Sequence, residues 1–235
     1  MMTRKKNQSK KNSTVRHLIA KLNPRSPVSE QYRTVRTNLQ FASVDEELRS
    51  ILVTSAGPTD GKSMTTANLA VVYAQQGKKV LLIDADLRKP TVHYTFRLDN
   101  LKGLSNVLVG ESTLETATNN SEVDNLDIIS SGPIPPNPSE LLASKRMEQL
   151  LSDAKVTYDL IIFDTPPTLA VTDAQVLANI VDGSLLVIRS KQTELEAAIK
   201  AKEALEPAKA KLLGTVLNDR EKDKSNNYYY YYGNN

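Results

Sequence analysis

The 235-residue sequence predicts an α/β fold with a doubly wound, mostly parallel sheet. Three observations predict it. Short apolar runs rich in β-branched residues alternate with helical-period segments from Ile51 to Leu217, the pattern of strands joined by crossover helices. The first of these runs, Ile51–Thr54, empties into a turn holding Gly57 and Gly61, followed by Lys62 and Ser63. Two later runs stop at an aspartate, Asp84 and Asp164, and ligands of open parallel sheets gather at such carboxyl ends.

In chain order, residues 1–25 are polar, basic and aperiodic, and are expected to form a disordered arm. The domain proper is expected over 26–218, and 219–235 is expected to form a flexible tail. From Ser26 to Phe41 the period becomes helical, with Tyr32, Val35 and Leu39 on one stripe and Ser29 in position to cap. Glu30, Arg33 and Arg36 share a broad face of this helix. Spacing alone favours a local Glu30–Arg33 pair of small energetic consequence.

The segment after Thr54 reads as a phosphate-binding loop. Gly57, Pro58, Thr59, Asp60, Gly61, Lys62, Ser63 and Met64 supply a turn and the start of a helix whose apolar face includes Thr65, Ala67, Leu69 and Val72. Backbone N–H groups and the positive end of a helix dipole then converge where an anion belongs. Lys62 adds a charge for the β- and γ-phosphates, and the Ser63 hydroxyl is placed to ligate Mg²⁺. The spacing G-x-x-x-x-G-K-[ST] is met except at its first glycine, where Ala56 stands.

Gly77 ends that helix, and a strand over Lys79–Ile83 leads into Asp84-Ala85-Asp86-Leu87-Arg88. Alternation puts Asp84 and Asp86 on one side of the chain. Two carboxylates facing a triphosphate call for a bridging divalent cation. Pro90–Asn125 offers little beyond a helical piece at 104–109. A strand over 126–130, a proline-rich turn over 133–138 and a helix from Ser139 to about Asp153 follow. Asp159-Leu160-Ile161-Ile162-Phe163-Asp164 has the Walker B form, in which a buried strand fixes a carboxylate near magnesium. A helix over 172–181, a strand over 184–188, a helix over 194–205 and a strand over 212–217 complete the alternation.

Composition excludes several classes of chemistry. The absence of cysteine removes disulfides, iron–sulfur ligation and thiolate zinc sites, and His17 and His93 are too few for a histidine metal site. No apolar run is long enough to span a bilayer and no secretory signal is legible, so the expected compartment is cytoplasmic. Residues 1–29 carry eight Lys or Arg and no acid, leaving an acidic body of 22 basic against 27 acidic residues. That arm suits an anionic lipid surface or an acidic partner, or stands solvated; the acidic body gives no footprint for nucleic acid. Five consecutive tyrosines, Tyr228, Tyr229, Tyr230, Tyr231 and Tyr232, match neither a strand nor a helical stripe. They read as a binding tail or as phosphate acceptors, and the phosphate-binding loop favours the second.

Taken together, SAGPTDGKS at 55–63, LLIDADLR at 81–88, LIIFDTPP at 160–167, E-x-x-R-x-x-R at 30–36 and the terminal tyrosines resemble the bacterial tyrosine kinases of capsule and exopolysaccharide synthesis. The resemblance covers roughly 26–235, nearly the whole chain. It implies a P-loop NTPase fold of the Min/Par-like type, using ATP and Mg²⁺ to phosphorylate the chain's own tyrosine cluster. It further implies that Ser63, Asp86 and Asp164 serve the metal, that Asp84 orients or deprotonates the acceptor phenol, and that Arg88 helps stabilise transferred charge. Glu30, Arg33 and Arg36 would form a ring-building face. The partners implied are a transmembrane polysaccharide co-polymerase adaptor, which would hold the kinase at the inner face of the membrane, and an opposing tyrosine phosphatase. The alternatives are a Min/Par-type ATPase acting as a positioning switch, which carries a lysine where Gly57 stands here, and a non-catalytic scaffold.

Overall fold

The structure is a computed structural model and describes residues 18–42 and 47–221. Seven strands form one sheet in the order β3-β4-β2-β5-β1-β6-β7. Their ranges are β1 Ser50–Ser55, β2 Val80–Asp84, β3 Thr118–Asn120, β4 Leu126–Ile129, β5 Leu160–Asp164, β6 Gly183–Arg189 and β7 Lys211–Asn218. All neighbours are parallel except β3, which runs antiparallel to β4. The path across the sheet reverses at β1, with β5, β2 and β4 on one side and β6 and β7 on the other. A ligand crevice is expected outside the carboxyl ends at such a switch point.

Alternate residues of the central strands serve opposite faces. Ile51, Val53, Val80, Leu82, Leu160 and Ile162 pack in a core shared with α1 (Ile19–Leu22), α2 (Pro27–Ala42) and α3 (Lys62–Ala74). Leu52, Leu81, Ile83, Ile161 and Phe163 face the other core, under α5 (Leu104–Val109), α7 (Pro138–Leu142), α8 (Lys145–Thr157) and α9 (Asp173–Leu177). A smaller cluster of Ala56, Leu186 and Ala201 seats α10 (Leu195–Leu205). Strands covered on both faces read as unbroken apolar runs, which is why β1, β2 and β5 were legible.

Several expectations need correction. The folded part begins before Ser26: Leu18 and Ala20 are buried, and Asn68 accepts the Ala20 N–H at 2.9 Å, so α1 lies on α3. The cap of α2 is not Ser29 but Ser26, whose Oγ accepts the Ser29 N–H at 3.1 Å; the buried Ser29 hydroxyl donates instead to Asn23 O at 2.7 Å. The single helix expected from Ser139 is two, because Ser144 Oγ caps α8 by accepting the Met147 N–H. The helix expected over 172–181 ends at Leu177. Two short helices, α4 (Val92–Phe96) and α6 (Leu114–Ala117), and strand β3 had no periodic signal. Most of the basic arm and Tyr228–Tyr232 lie outside the described residues.

Candidate active site

The site is assembled where β1, β2 and β5 end together. Strand register places Asp84 directly beside Asp164, and Val53 of β1 beside the same Asp164. The loop that leaves β1 is held by its own side chain: Asp60 Oδ2 accepts the Gly57 N–H at 2.9 Å, while Asp60 Oδ1 accepts the Thr193 hydroxyl at 2.9 Å. Thr59 adopts φ 70°, unusual for a β-branched residue, and backbone strain of this kind is kept only where the surroundings enforce it. Gly61, at φ +92°, precedes α3 in the left-handed region, and a Cβ there would stand 2.0 Å from Asn218 Nδ2. Asn218 reaches in from the end of β7 and donates to Asp60 O at 2.9 Å.

Lys62 opens α3 and carries its ammonium into the carboxylates. Nζ lies 3.2 Å from Asp86, 3.4 Å from Asp164 and 3.2 Å from the Ser63 hydroxyl. Burial opposes its charge, but Asp164, Asp86 and Asp84 outweigh it and raise its pKa, so the lysine keeps its proton. Asp84 is fully buried, and burial together with the charge of Asp164 pushes its pKa up to about 7. Burial likewise raises Asp164, against the opposing pull of Lys62 and Ser63. One ammonium among three acids leaves the cluster short of positive charge.

That shortage bears on magnesium. Asp164 Oδ2 is buried without a hydrogen-bond partner, and Asp164 Oδ1 is only loosely held, with Thr66 Oγ1 at 3.4 Å. An orphaned carboxylate oxygen beside a serine hydroxyl and a second acid fits a hard oxygen-seeking cation. No cluster of three or more His, Cys, Asp or Glu suited to a metal occurs among the described residues. Magnesium commonly uses one or two carboxylates and completes its shell with phosphates and water.

Not every expected residue converges. Asp84 faces inward: Oδ2 accepts Thr91 N–H at 3.0 Å and Val92 N–H at 2.9 Å, capping α4, and Oδ1 accepts Asp86 N–H at 3.2 Å. Arg88 is tied to Asp173 and Ser139 rather than presented towards Lys62. On α2, Arg33 pairs with Glu30 and donates to Pro24 O at 2.6 Å, whereas Arg36 turns inward to Val72 O at 2.7 Å on α3. Those three side chains do not share one outward face. Thr66, Thr193 and Asn218 were missed; only Thr66, one turn along from Lys62, carried a signal in its spacing. A pocket of about 340 Å³ adjoins the loop, lined by Ala56–Asp60, Leu169, the Gln192–Glu194 segment before α10, and Ala197 in that helix's first turn.

Comparison with known proteins accords with this geometry. Residues 48–200 match the AAA domain family AAA_31. The chain is 60% identical over 205 residues to tyrosine-protein kinase YwqD of Bacillus subtilis, covering 87% of this chain and 86% of that protein. Among solved structures, the kinase domain of Escherichia coli tyrosine kinase ETK superposes with a TM-score of 0.85 at 39% identity, covering 97% of this chain and 86% of that one. The chimerical protein CapA2B2 also gives 0.85, at 44% identity, covering 87% of this chain and 90% of that one. A phosphate loop, paired strand-end carboxylates and this degree of kinship agree: the chain belongs to the bacterial tyrosine-protein kinases.

Proposed function

We propose that this kinase transfers the γ-phosphoryl group of ATP to its own C-terminal cluster, Tyr228–Tyr232, and thereby regulates capsule or exopolysaccharide synthesis and export. The observation that supports this most is the position of Lys62 Nζ, held between Asp86 and Asp164 at the mouth of the phosphate loop. Gly57–Met64 would bind the triphosphate through backbone N–H groups and the α3 N-terminus. Ser63, Asp86 and Asp164 would hold magnesium, whose charge would neutralise the β- and γ-phosphates. Lys62 supplies positive charge to the same oxygens, and in a loose transition state this charge matters more than early removal of the phenol proton. With an ordinary phenol pKa near ~10, a carboxylate is a weak thermodynamic base for it. Asp84, capping α4 with its carboxylate, is better read as fixing the Asp86 turn than as accepting that proton directly.

The nine residues between Asn218 and Tyr228 make ten Cα–Cα steps, which span about 33–36 Å when extended, enough to serve a neighbouring subunit. The family resemblance supports a homo-oligomeric ring in which phosphorylation occurs in trans, with Glu30 and Arg33 on its contact face. Arg36, bonded to α3, would instead couple α2 to the helix that begins the phosphate loop. The similar CapA2B2 chimera supports a second polypeptide as adaptor, which would keep the kinase at the inner face of the membrane. No described helix is long and apolar enough to cross a bilayer itself. An opposing tyrosine phosphatase completes the cycle.

The test is mass spectrometry of the full chain after incubation with ATP and Mg²⁺. Phosphate increments on the peptide holding Tyr228–Tyr232, absent in Lys62→Met, are expected; an unmodified tail in the presence of the adaptor would contradict the proposal.

A further inference from the structure

The segments that follow three adjacent strands, β4, β2 and β5, meet at one guanidinium, those after β4 and β5 through the first turns of α7 and α9. Arg88, after β2, donates from Nε to Asp173 Oδ2 at 2.9 Å and from Nη2 to Asp173 Oδ1 at 3.0 Å. Asp173, after β5, has a fully buried side chain. Ser139, after β4, donates its hydroxyl to Asp173 Oδ1 at 2.5 Å and accepts Arg88 Nη2–H at 3.0 Å. A forked pair of this kind fixes direction as well as charge. Within the same turn, Asp86 Oδ1 accepts the Lys89 N–H at 3.0 Å and Oδ2 faces Lys62. The turn that aims Asp86 is therefore anchored on one side by Lys62 and on the other by Arg88.

We infer that Asp173 and Ser139 are positioning residues which, by clamping Arg88, hold the 86–89 turn so that Asp86 is directed at the metal. Arg88 is then part of the crevice wall and not a free cation for the transferred phosphoryl group. Its Nε and Nη2 are committed to a carboxylate that burial makes costly to abandon. This inference rests on the reading of Asp86 as a magnesium ligand. Groups that bond a metal ligand directly govern metal affinity, with losses of about 10–100-fold when they are removed, and this clamp acts one link further out, through the 86–89 turn.

The test measures Mn²⁺ binding by electron paramagnetic resonance, using the full chain with a non-hydrolysable ATP analogue. Wild type is compared with Arg88→Lys, Asp173→Asn and Ser139→Ala. Arg88→Lys and Asp173→Asn should weaken Mn²⁺ binding by about tenfold and Ser139→Ala by less, while affinity for the analogue in EDTA stays unchanged. Ser139→Ala leaves the ion pair in place and so keeps the test decisive if Asp173→Asn fails to fold. Equal Mn²⁺ affinity in all folded variants overturns the inference, as does a matching loss of analogue affinity in EDTA. Wild type that binds the analogue but no Mn²⁺ would refute the reading of Asp86 as ligand and the clamp with it.

Discussion

The central strands and the edge strands of this sheet do different work. β1, β2 and β5 are buried along their whole length, and each ends in a group that belongs to the site: the phosphate loop, Asp84 with Asp86, and Asp164. β7 is partly exposed throughout, and β3 is short and polar. Yet β7 sends Asn218 under the phosphate loop, so the edge braces what the centre presents. The difference teaches that charge is tolerated at the central strand ends because surrounding groups, Lys62 foremost, answer it, whereas the edge contributes through single hydrogen bonds.

The contrast can be broken by mutation, beginning with the largest effect. Lys62→Met should abolish phosphotransfer while circular dichroism shows the fold retained; residual tail labelling would remove Lys62 from the mechanism. In a mixture, an active chain lacking 222–235 should label the tail of the Lys62→Met chain, and no labelling would exclude transfer in trans. Phe163→Ala, in the middle of the site's own strand, should cost about 3–5 kcal/mol in denaturant unfolding, because a fully buried ring leaves a cavity. Leu217→Ala on β7, where the side chain is half exposed, should cost no more than about 0.5 kcal/mol.

A pH series sharpens the same contrast. Asp84 titrates near 7 when folded, above its ordinary carboxylate value, so the folded chain takes up a proton that the unfolded chain has not yet bound. Stability of the nucleotide-free protein should therefore rise as pH falls from 8 towards 5. Because burial also raises Asp164, Asp84→Asn should reduce that dependence without abolishing it, measured as Tm against pH, and an unchanged slope would leave Asp164 as its source.

The central half of the fold and the acids of the site were legible because buried parallel strands leave unbroken apolar runs and because Gly61, Lys62 and Ser63 stand at a fixed spacing. The kinship decides between the kinase reading and the positioning-switch alternative that the same loop allows. What was not legible has local causes. Thr118–Asn120 is a strand only because β4 offers an edge, and nothing apolar marks it. Ser144 breaks a helix that periodicity would have continued. Arg88 looked like a free cation because its partners, Ser139 and Asp173, lie 51 and 85 residues further along the chain. Arg36 was grouped with Arg33 by helical spacing, although its partner is a carbonyl on another helix.

The most direct measurement is a crystal structure of the full chain with Mn²⁺ and a non-hydrolysable ATP analogue, with the metal located by anomalous scattering. The account predicts a single peak at the phosphates, within coordination or water-bridged distance of Ser63, Asp86 and Asp164, and Lys62 turned to the β- and γ-phosphates. A metal remote from those acids, or a nucleotide whose phosphates lie away from Gly57–Ser63, would contradict it.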